Sequence, residues 1–173
     1  MPAKKEKNSK EEKLSLEEKE SFWGKVDNIY RHIKNVEEAA FLLARKLKDE
    51  GEIFLSLGLL KRARMHDVSK FEGIEWNCLS GDSELLTTAV NHHRSINDHH
   101  PEFHEDISDM SRLQIAEMVC DLKARSQETG TDLRDYIKNT FLPRYEITTR
   151  SKFYSNINYF VNLLLDKPME RIE

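Results

Sequence analysis

Cysteine is scarce. Cys78 and Cys120 are the only two among 173 residues, too few for a disulfide framework and without the CxxC pairing of a zinc knuckle. A pair of reduced thiols in a cytoplasmic protein is the expectation. Six glycines and four prolines argue against a turn-rich β-sandwich. No apolar run approaches the roughly 18 residues a membrane span needs, so no membrane association is expected. The first stretch, Met1 to Lys13, has no apolar core of the kind a signal peptide carries and reads as part of a disordered polar tail over 1–14. Excess basic charge is missing as well. The formal net charge is -4, so no global field draws the chain to nucleic acid or anionic lipid. Anionic small molecules stay open, because a bound metal supplies local positive charge.

What is present favours helix. Hydrophobic residues make up 38% and charged residues 34% of the chain, and long Leu/Ala/Glu/Lys stretches are helix formers. The expectation is an all-α, single-domain bundle over 15–173. A first helix starts near Ser15, with Gly24 as an interruption. Its stripe of Ile29, Ile33, Val36, Ala40, Leu43 and Leu47 has helical spacing, and Gly51 ends it. A second helix over Glu52 to about Met65 is so apolar that it is expected at the centre of the bundle. A short helix follows at about Glu72–Leu79, then a turn at Gly81-Asp82. Further helices are expected from Ser83 to about Arg94, Ser111 to Gln127, Asp132 to about Phe141 and Thr149 to Leu165. A loop containing Pro101 spans Ser95 to Asp109.

The chain has seven histidines, and His92, His93, His99, His100 and His104 crowd one segment. Exposed loops have no need for such density, whereas imidazole is the commonest metal ligand near neutral pH. His93 continues the inward stripe of Leu85 and Ala89, and His32 falls between Ile29 and Val36. Asp121 lies beside the apolar face of its helix, and His66 follows Leu59 and Ala63 at helical spacing. Taken singly, each is more often a hydrogen-bonded core histidine, a salt bridge or a loop residue. Together they bring polar groups from different helices toward one interior, where burial is costly without partners. A shared cation would satisfy imidazoles and carboxylates at once. Mixed His/Asp ligation suits Fe, Mn, Co, Ni or Zn.

In order along the chain these residues are His32, His66-Asp67, His93, His99-His100 and Asp121. This resembles the HD superfamily of metal-dependent hydrolases, with His66-Asp67-Val68-Ser69-Lys70 similar to its HDxxK signature. The pieces HDVSKF, NHHRSINDHHPEF and AEMVCDLKARS are more closely similar to an uncharacterised bacterial and phage family of short HD-like proteins. The resemblance covers roughly Tyr30 to Ser126. It implies a helical bundle around one or two divalent transition-metal ions. His32, His66, Asp67 and Asp121 would hold the first ion. Asp67 would bridge to a second held by His93, His99 and His100, with His92 replacing His93 if the helix register shifts by one. The GYP tripeptide of cyclic-diguanylate phosphodiesterases is missing, so that substrate is not implied.

The resemblance further implies a phosphohydrolase, with a metal-activated water directed at a nucleotide or related phosphate ester. Asp67 and Lys70 would form the catalytic pair. Lys70 and Arg125 would contact phosphate, and Glu72 or Glu75 would meet a substrate hydroxyl or protonate the leaving group. Asn97 would orient the loop between the two histidine groups. Two readings compete with this one. Some HD-type proteins are diiron oxygenases of small molecules, and a metal-stabilised bundle can bind a nucleotide or protein without catalysis. Association with further copies of the chain also stays open.

Overall fold

The computed structural model describes residues 15–79 and 85–166. The tail expected over 1–14 and the turn at Gly81-Asp82 lie outside the described residues. Among the described residues every regular element is helical. Helix α1 (Leu16–Asp49) turns Val36, Ala40, Leu43, Ala44 and Leu47 inward on one face. It runs unbroken through Gly24, which is exposed and where a side chain would meet open space. A mid-helix glycine costs only about 1 kcal/mol relative to alanine, too little to break a long packed helix. Gly51 reverses the chain at a φ of 83°, a left-handed conformation that glycine adopts without steric cost.

Helix α2 (Ile53–Ala63) returns antiparallel to α1. The register is fixed where Glu52 N donates to Leu47 O at 2.8 Å and Ser56 Oγ donates to Ala44 O at 2.8 Å. The helix is not central. Only Ser56, Leu59 and Ala63 are buried, whereas Ile53, Phe54 and Leu57 face water. An apolar run all round a helix fits a core position, but α2 packs with one face only, on α1 and on α5 (Arg112–Thr129).

The centre belongs to α5 (Arg112–Thr129), buried almost continuously from Ile115 to Leu122. Its start is fixed by a capping box: Gln114 N donates to Ser111 Oγ and Ser111 N donates to Gln114 Oε1. Such reciprocal caps satisfy two otherwise orphaned donors. Gly130, at a φ of 68°, ends the helix. Helices α1, α2 and α8 (Lys152–Leu165) pack around it. Leu43, Leu47, Leu59, Ile115 and Phe160 fill the core between them, each worth about 1.5–3 kcal/mol of burial.

Two short helices, α3 (Gly73–Leu79) and α4 (Leu86–Ile96), pair beside this bundle. On α4 Ala89 is buried and Leu85, just before the helix, is half-buried, whereas Leu86 and Val90 are exposed and line a cleft. Asp132 caps α6 (Leu133–Tyr136) by accepting from Arg134 N and Asp135 N. The chain then passes through a π turn, Ile137–Phe141, into α7 (Leu142–Arg144). The π turn stands just before Pro143, which has no N–H to continue the ordinary helical ladder.

Candidate metal centre

Helix α2 ends where chemistry begins. His66 and Asp67 follow its last turn, and Asp67 takes a left-handed backbone at a φ of 57°. Non-glycine residues pay about 1–2 kcal/mol for that conformation. It starts the 3-10 turn Val68–Phe71 and accompanies a side chain that lies in the interior. Asp67 is 2% exposed.

Five imidazoles and a second carboxylate surround it. His32 comes from α1, His93 from α4, His99 and His100 from the loop before the turn Pro101–Phe103, and Asp121 from α5. Asp67 Oδ1 lies 3.1 Å from His93 Nε2, 3.5 Å from His66 Nε2 and 3.6 Å from His99 Nε2. His32 Nε2 is 3.4 Å from Asp67 Oδ2 and 3.1 Å from Asp121 Oδ1. Thus the two oxygens of Asp67 face two halves of one cluster. Donors about 2.1 Å from one ion, at coordination angles near 90–110°, lie roughly 3.0–3.4 Å apart, close to the spacings seen here.

Three sets of these residues offer atoms that all lie within 4.8 Å of one another: Asp67, His93, His99 and His100; His32, His66 and Asp67; and His66, His99 and Asp121. With the rings neutral and unprotonated at Nε2, the buried atoms His32 Nε2, His66 Nε2, Asp67 Oδ1, His99 Nε2, His100 Nε2 and Asp121 Oδ1 are acceptors facing acceptors, without a hydrogen-bond partner among the described residues; a proton on His32 Nε2 or a cation relieves this. Leaving such groups orphaned costs about 1–3 kcal/mol each, and more for charged ones. A set of orphans facing one point is what a cation satisfies, so these residues fit a bound metal ion.

The far sides of the rings carry the complementary feature. His32 Nδ1 donates to Glu128 Oε1 at 2.9 Å, His66 Nδ1 to Glu117 Oε1 at 3.1 Å and His93 Nδ1 to Glu75 Oε2 at 2.8 Å. A carboxylate only accepts, so Nδ1 carries the proton and Nε2 is the position open to a metal. Metal-binding histidines commonly show this outer carboxylate, which fixes tautomer and ring orientation. Glu117 is itself held by Arg62, which also bonds Asp98, and Gln114 Nε2 donates to Asp98 Oδ2 at 2.9 Å.

Charge follows from this layout. Burial disfavours the His32 imidazolium, but Asp121 and Asp67 outweigh it and raise the pKa to about 9. His66 is also raised, its burial overcome by Asp67 and Glu117. Burial works against ionising Asp67 and Asp121, yet the surrounding imidazoles and, at Asp67, Lys70 hold both well below the usual carboxylate range. Burial and the neighbouring His66 charge lower His99 to about 4; burial and His99 lower His100 to about 3.

The structure brings together His32, His66, Asp67, His93, His99, His100 and Asp121. Of the neighbouring histidines it places His93 at the cluster, whereas the His92 side chain is 44% exposed and, among the described residues, meets Glu75 Oε1 at 3.1 Å. Lys70 Nζ bonds Asp67 Oδ2. Arg125 lines the adjoining cleft and bonds Glu128 Oε2 at 3.2 Å. Two expectations for substrate contact need correction. Glu72 is exposed and does not line the cleft. Glu75 borders it, but its oxygens are taken up by His92 and His93, so it supports a ring instead of presenting a free acid. Asn97 holds the loop by donating to His93 O at 2.8 Å and Ser69 Oγ at 3.0 Å.

Glu117 and Glu128 were not singled out by sequence reasoning. The available signal was spacing: Glu117 precedes Asp121 by four residues, one helical turn.

A family model described as a family of unknown function (DUF5662) matches residues 79–161. That span takes in His93, His99, His100 and Asp121 with Glu117 and Glu128, and leaves out His32, His66 and Asp67. No curated protein and no solved structure matches the chain.

Proposed function

We propose that this chain is an HD-type, metal-dependent phosphohydrolase acting on a nucleotide or related phosphate ester. The observation that carries the reading is the convergence of orphaned Nε2 and carboxylate atoms from four separate segments on one buried point. A divalent ion bound there supplies a water acidified toward neutral pH and a Lewis acid for phosphoryl oxygen.

The surroundings favour an anionic substrate. A cleft of about 490 Å³ opens beside the cluster, bordered by Asp67, His93, His100 and Asp121. Lys70, Arg94, Arg125 and Arg144 line it. Arg94 and Arg144 pair with Glu102 and Arg125 with Glu128, so once cations neutralise Asp67 and Asp121 the four bases outnumber Glu75, Glu102 and Glu128 by one, a small positive balance that favours phosphate. Lys70 Nζ, bonded to Asp67 Oδ2 on the cleft wall, is positioned to meet a phosphoryl oxygen. Arg125, one turn beyond Asp121 on α5, offers the planar fork that suits bidentate anion contact. Leu86, Val90, Met118, Leu122 and Phe141 provide apolar walls for the body of the ester and reduce water around the reacting group.

The test is anaerobic purification with metal analysis, followed by phosphate release from nucleoside monophosphates, triphosphates and cyclic nucleotides with Mn, Co, Ni, Zn or Fe. Asp67→Ala is the control. Turnover that needs metal and disappears in Asp67→Ala supports the proposal. Equal turnover by the variant, or no bound metal, overturns it. A diiron spectrum with dioxygen consumption and no phosphate release replaces it with the oxygenase reading.

A further inference from the structure

Away from the metal centre, the outward face of the α1–α2 pair is apolar and is left uncovered among the described residues. Phe41 and Leu42 on α1 and Phe54, Leu57 and Met65 on and just beyond α2 are exposed, Phe54 to 93%. A groove of about 970 Å³ runs between the helices, with Glu37 and Glu38 on the α1 wall and Lys61 and Arg64 on the α2 side. Monomeric proteins rarely leave contiguous apolar patches above a few hundred Å² in water.

Of the terminal segments outside the described residues, 1–14 carry Met1 and Leu14 and 167–173 carry Met169 and Ile172 as large apolar side chains. The charges point to self-recognition. Among the described residues Glu37, Lys61 and Arg64 enter no ion pair, and Glu38 only a loose one with Lys34 at 3.9 Å. The contacts Glu52–Leu47 and Ser56–Ala44 fix the antiparallel register. Carried along both helices, that register sets Arg64 level with Val36–Glu37, Lys61 level with Glu38–Ala39, and Leu57 and Phe54 level with the stretch from Leu43 to Lys46.

We propose that this face docks a second copy of the same chain, related by a two-fold axis along the groove, so that α1 of each copy lies antiparallel over α2 of the other. The rotation keeps each side chain at its own level along the groove while exchanging the helices. Glu37 and Glu38 then meet the partner's Lys61 and Arg64, Leu42 comes within about one residue of the level of the partner's Leu57, and Phe54 falls about one helical turn further along, at the level of Arg45 and Lys46. Every contact is made twice, as an isologous interface requires. Aromatic side chains bury about 150–250 Å² each. Two Phe, two Leu and Met65, with the aliphatic stems of Lys61 and Arg64, approach the roughly 800 Å² per partner of a stable interface.

The experiment is sedimentation velocity and light scattering of the full chain over a concentration series. The wild type is expected to be a dimer. Lys61→Glu with Arg64→Glu, or Glu37→Lys with Glu38→Lys, places like charges face to face and raises the dissociation constant about a hundredfold. Helicity and a cooperative unfolding transition show that each variant is folded. Mixing the two charge-reversed proteins restores both sets of contacts, so a one-to-one heterodimer re-forms at wild-type affinity; Phe54→Ser in either partner weakens it. A wild type that is monomeric throughout, or a mixture that does not re-associate, overturns the proposal. So does a wild type that dimerises only after residues 167–173 are deleted, because the chain's own end would then be the occupant. No metal enters these measurements, so they stand or fall apart from the phosphohydrolase reading.

Discussion

Metal binding at this centre is expected to release protons, and His32 is the reason. Its Nδ1 is committed to Glu128, so the proton that titrates sits on Nε2, between Asp67 and Asp121. Burial works against the charged ring, but the two carboxylates prevail and its pKa is about 9. At neutral pH the imidazolium therefore occupies the place an ion must take. Displacing one proton makes apparent affinity fall tenfold per pH unit below that pKa, about a hundredfold between pH 9 and pH 7. His66, also raised, steepens the dependence further. The metal-free protein has the opposite sign. A group whose folded pKa is raised contributes stability that is fully present below the unfolded value and is lost as pH rises through the folded one. Here the window runs from 6.5 to about 9, and the contribution is of the order of 3 kcal/mol. The depressed pKa values of Asp121 and Asp67 express the same contacts and add nothing. Calorimetric metal titrations in buffers of different ionisation heat count the protons, and thermal unfolding of chelator-treated protein follows the apo stability. Affinity that is flat with pH and releases no proton, or apo stability that rises through this window, would refute the electrostatic account.

Three further outcomes follow from the same geometry. Saturating metal should raise the melting temperature of chelator-treated protein: about 4 kcal/mol at a thousandfold excess over Kd corresponds to roughly 8–16 °C for a domain of this size, and scanning fluorimetry that shows no shift would remove the metal centre. Glu117→Gln leaves the His66 and His99 rings without their shared carboxylate and should weaken metal binding about 10–100-fold, measured by competition with a chromophoric chelator, while the helical circular dichroism persists. Glu75→Gln should loosen only the ion on the His93 side, so equilibrium dialysis finds two equivalents bound by the wild type and nearer one by the variant; His92→Ala, which removes a contact at Glu75 Oε1, leaves the stoichiometry unchanged.

The helices were legible because their apolar spacing and end signals are local: Gly51, Ser111 and Asp132 each stand at an end the structure shows. The inward direction of His32, His66, His93 and Asp121 was legible for the same reason, since each continues or borders a stripe. His99 and His100 were not readable that way. They sit in a loop, where no period says which way a side chain points, and only the resemblance drew them in. The outer carboxylates stayed hidden in that role: Glu117 and Glu128 look like ordinary helix-surface acids, and Glu75 read as a substrate contact. What makes them different is the imidazole from another helix, a long-range fact. Glu117 pairs with His66 across 51 positions and Glu128 with His32 across 96.

The misplaced helix centre has a physical cause that ties the metal centre to the exposed face. Hydrophobicity alone ranks α2 as the interior helix, yet α5 is interior because it carries Glu117 and Asp121. Buried carboxylates are tolerated only when several partners reach them, and a helix supplying them must be surrounded. Helix α2 needs one face for packing and its end for delivering His66 and Asp67, which frees its other apolar side chains for the outside. Arg62 joins the two roles: it grips Glu117 and Asp98 and lies between Lys61 and Arg64, the residues assigned to the second copy. Charge reversal at Lys61 and Arg64 adds negative charge on either side of Arg62 and competes for its guanidinium. If interface and site are coupled through it, the Lys61→Glu/Arg64→Glu protein binds metal several-fold more weakly than the Glu37→Lys/Glu38→Lys protein, although both are monomeric. Equal affinity in the two monomers would mean that Arg62 holds Glu117 regardless of what its neighbours face.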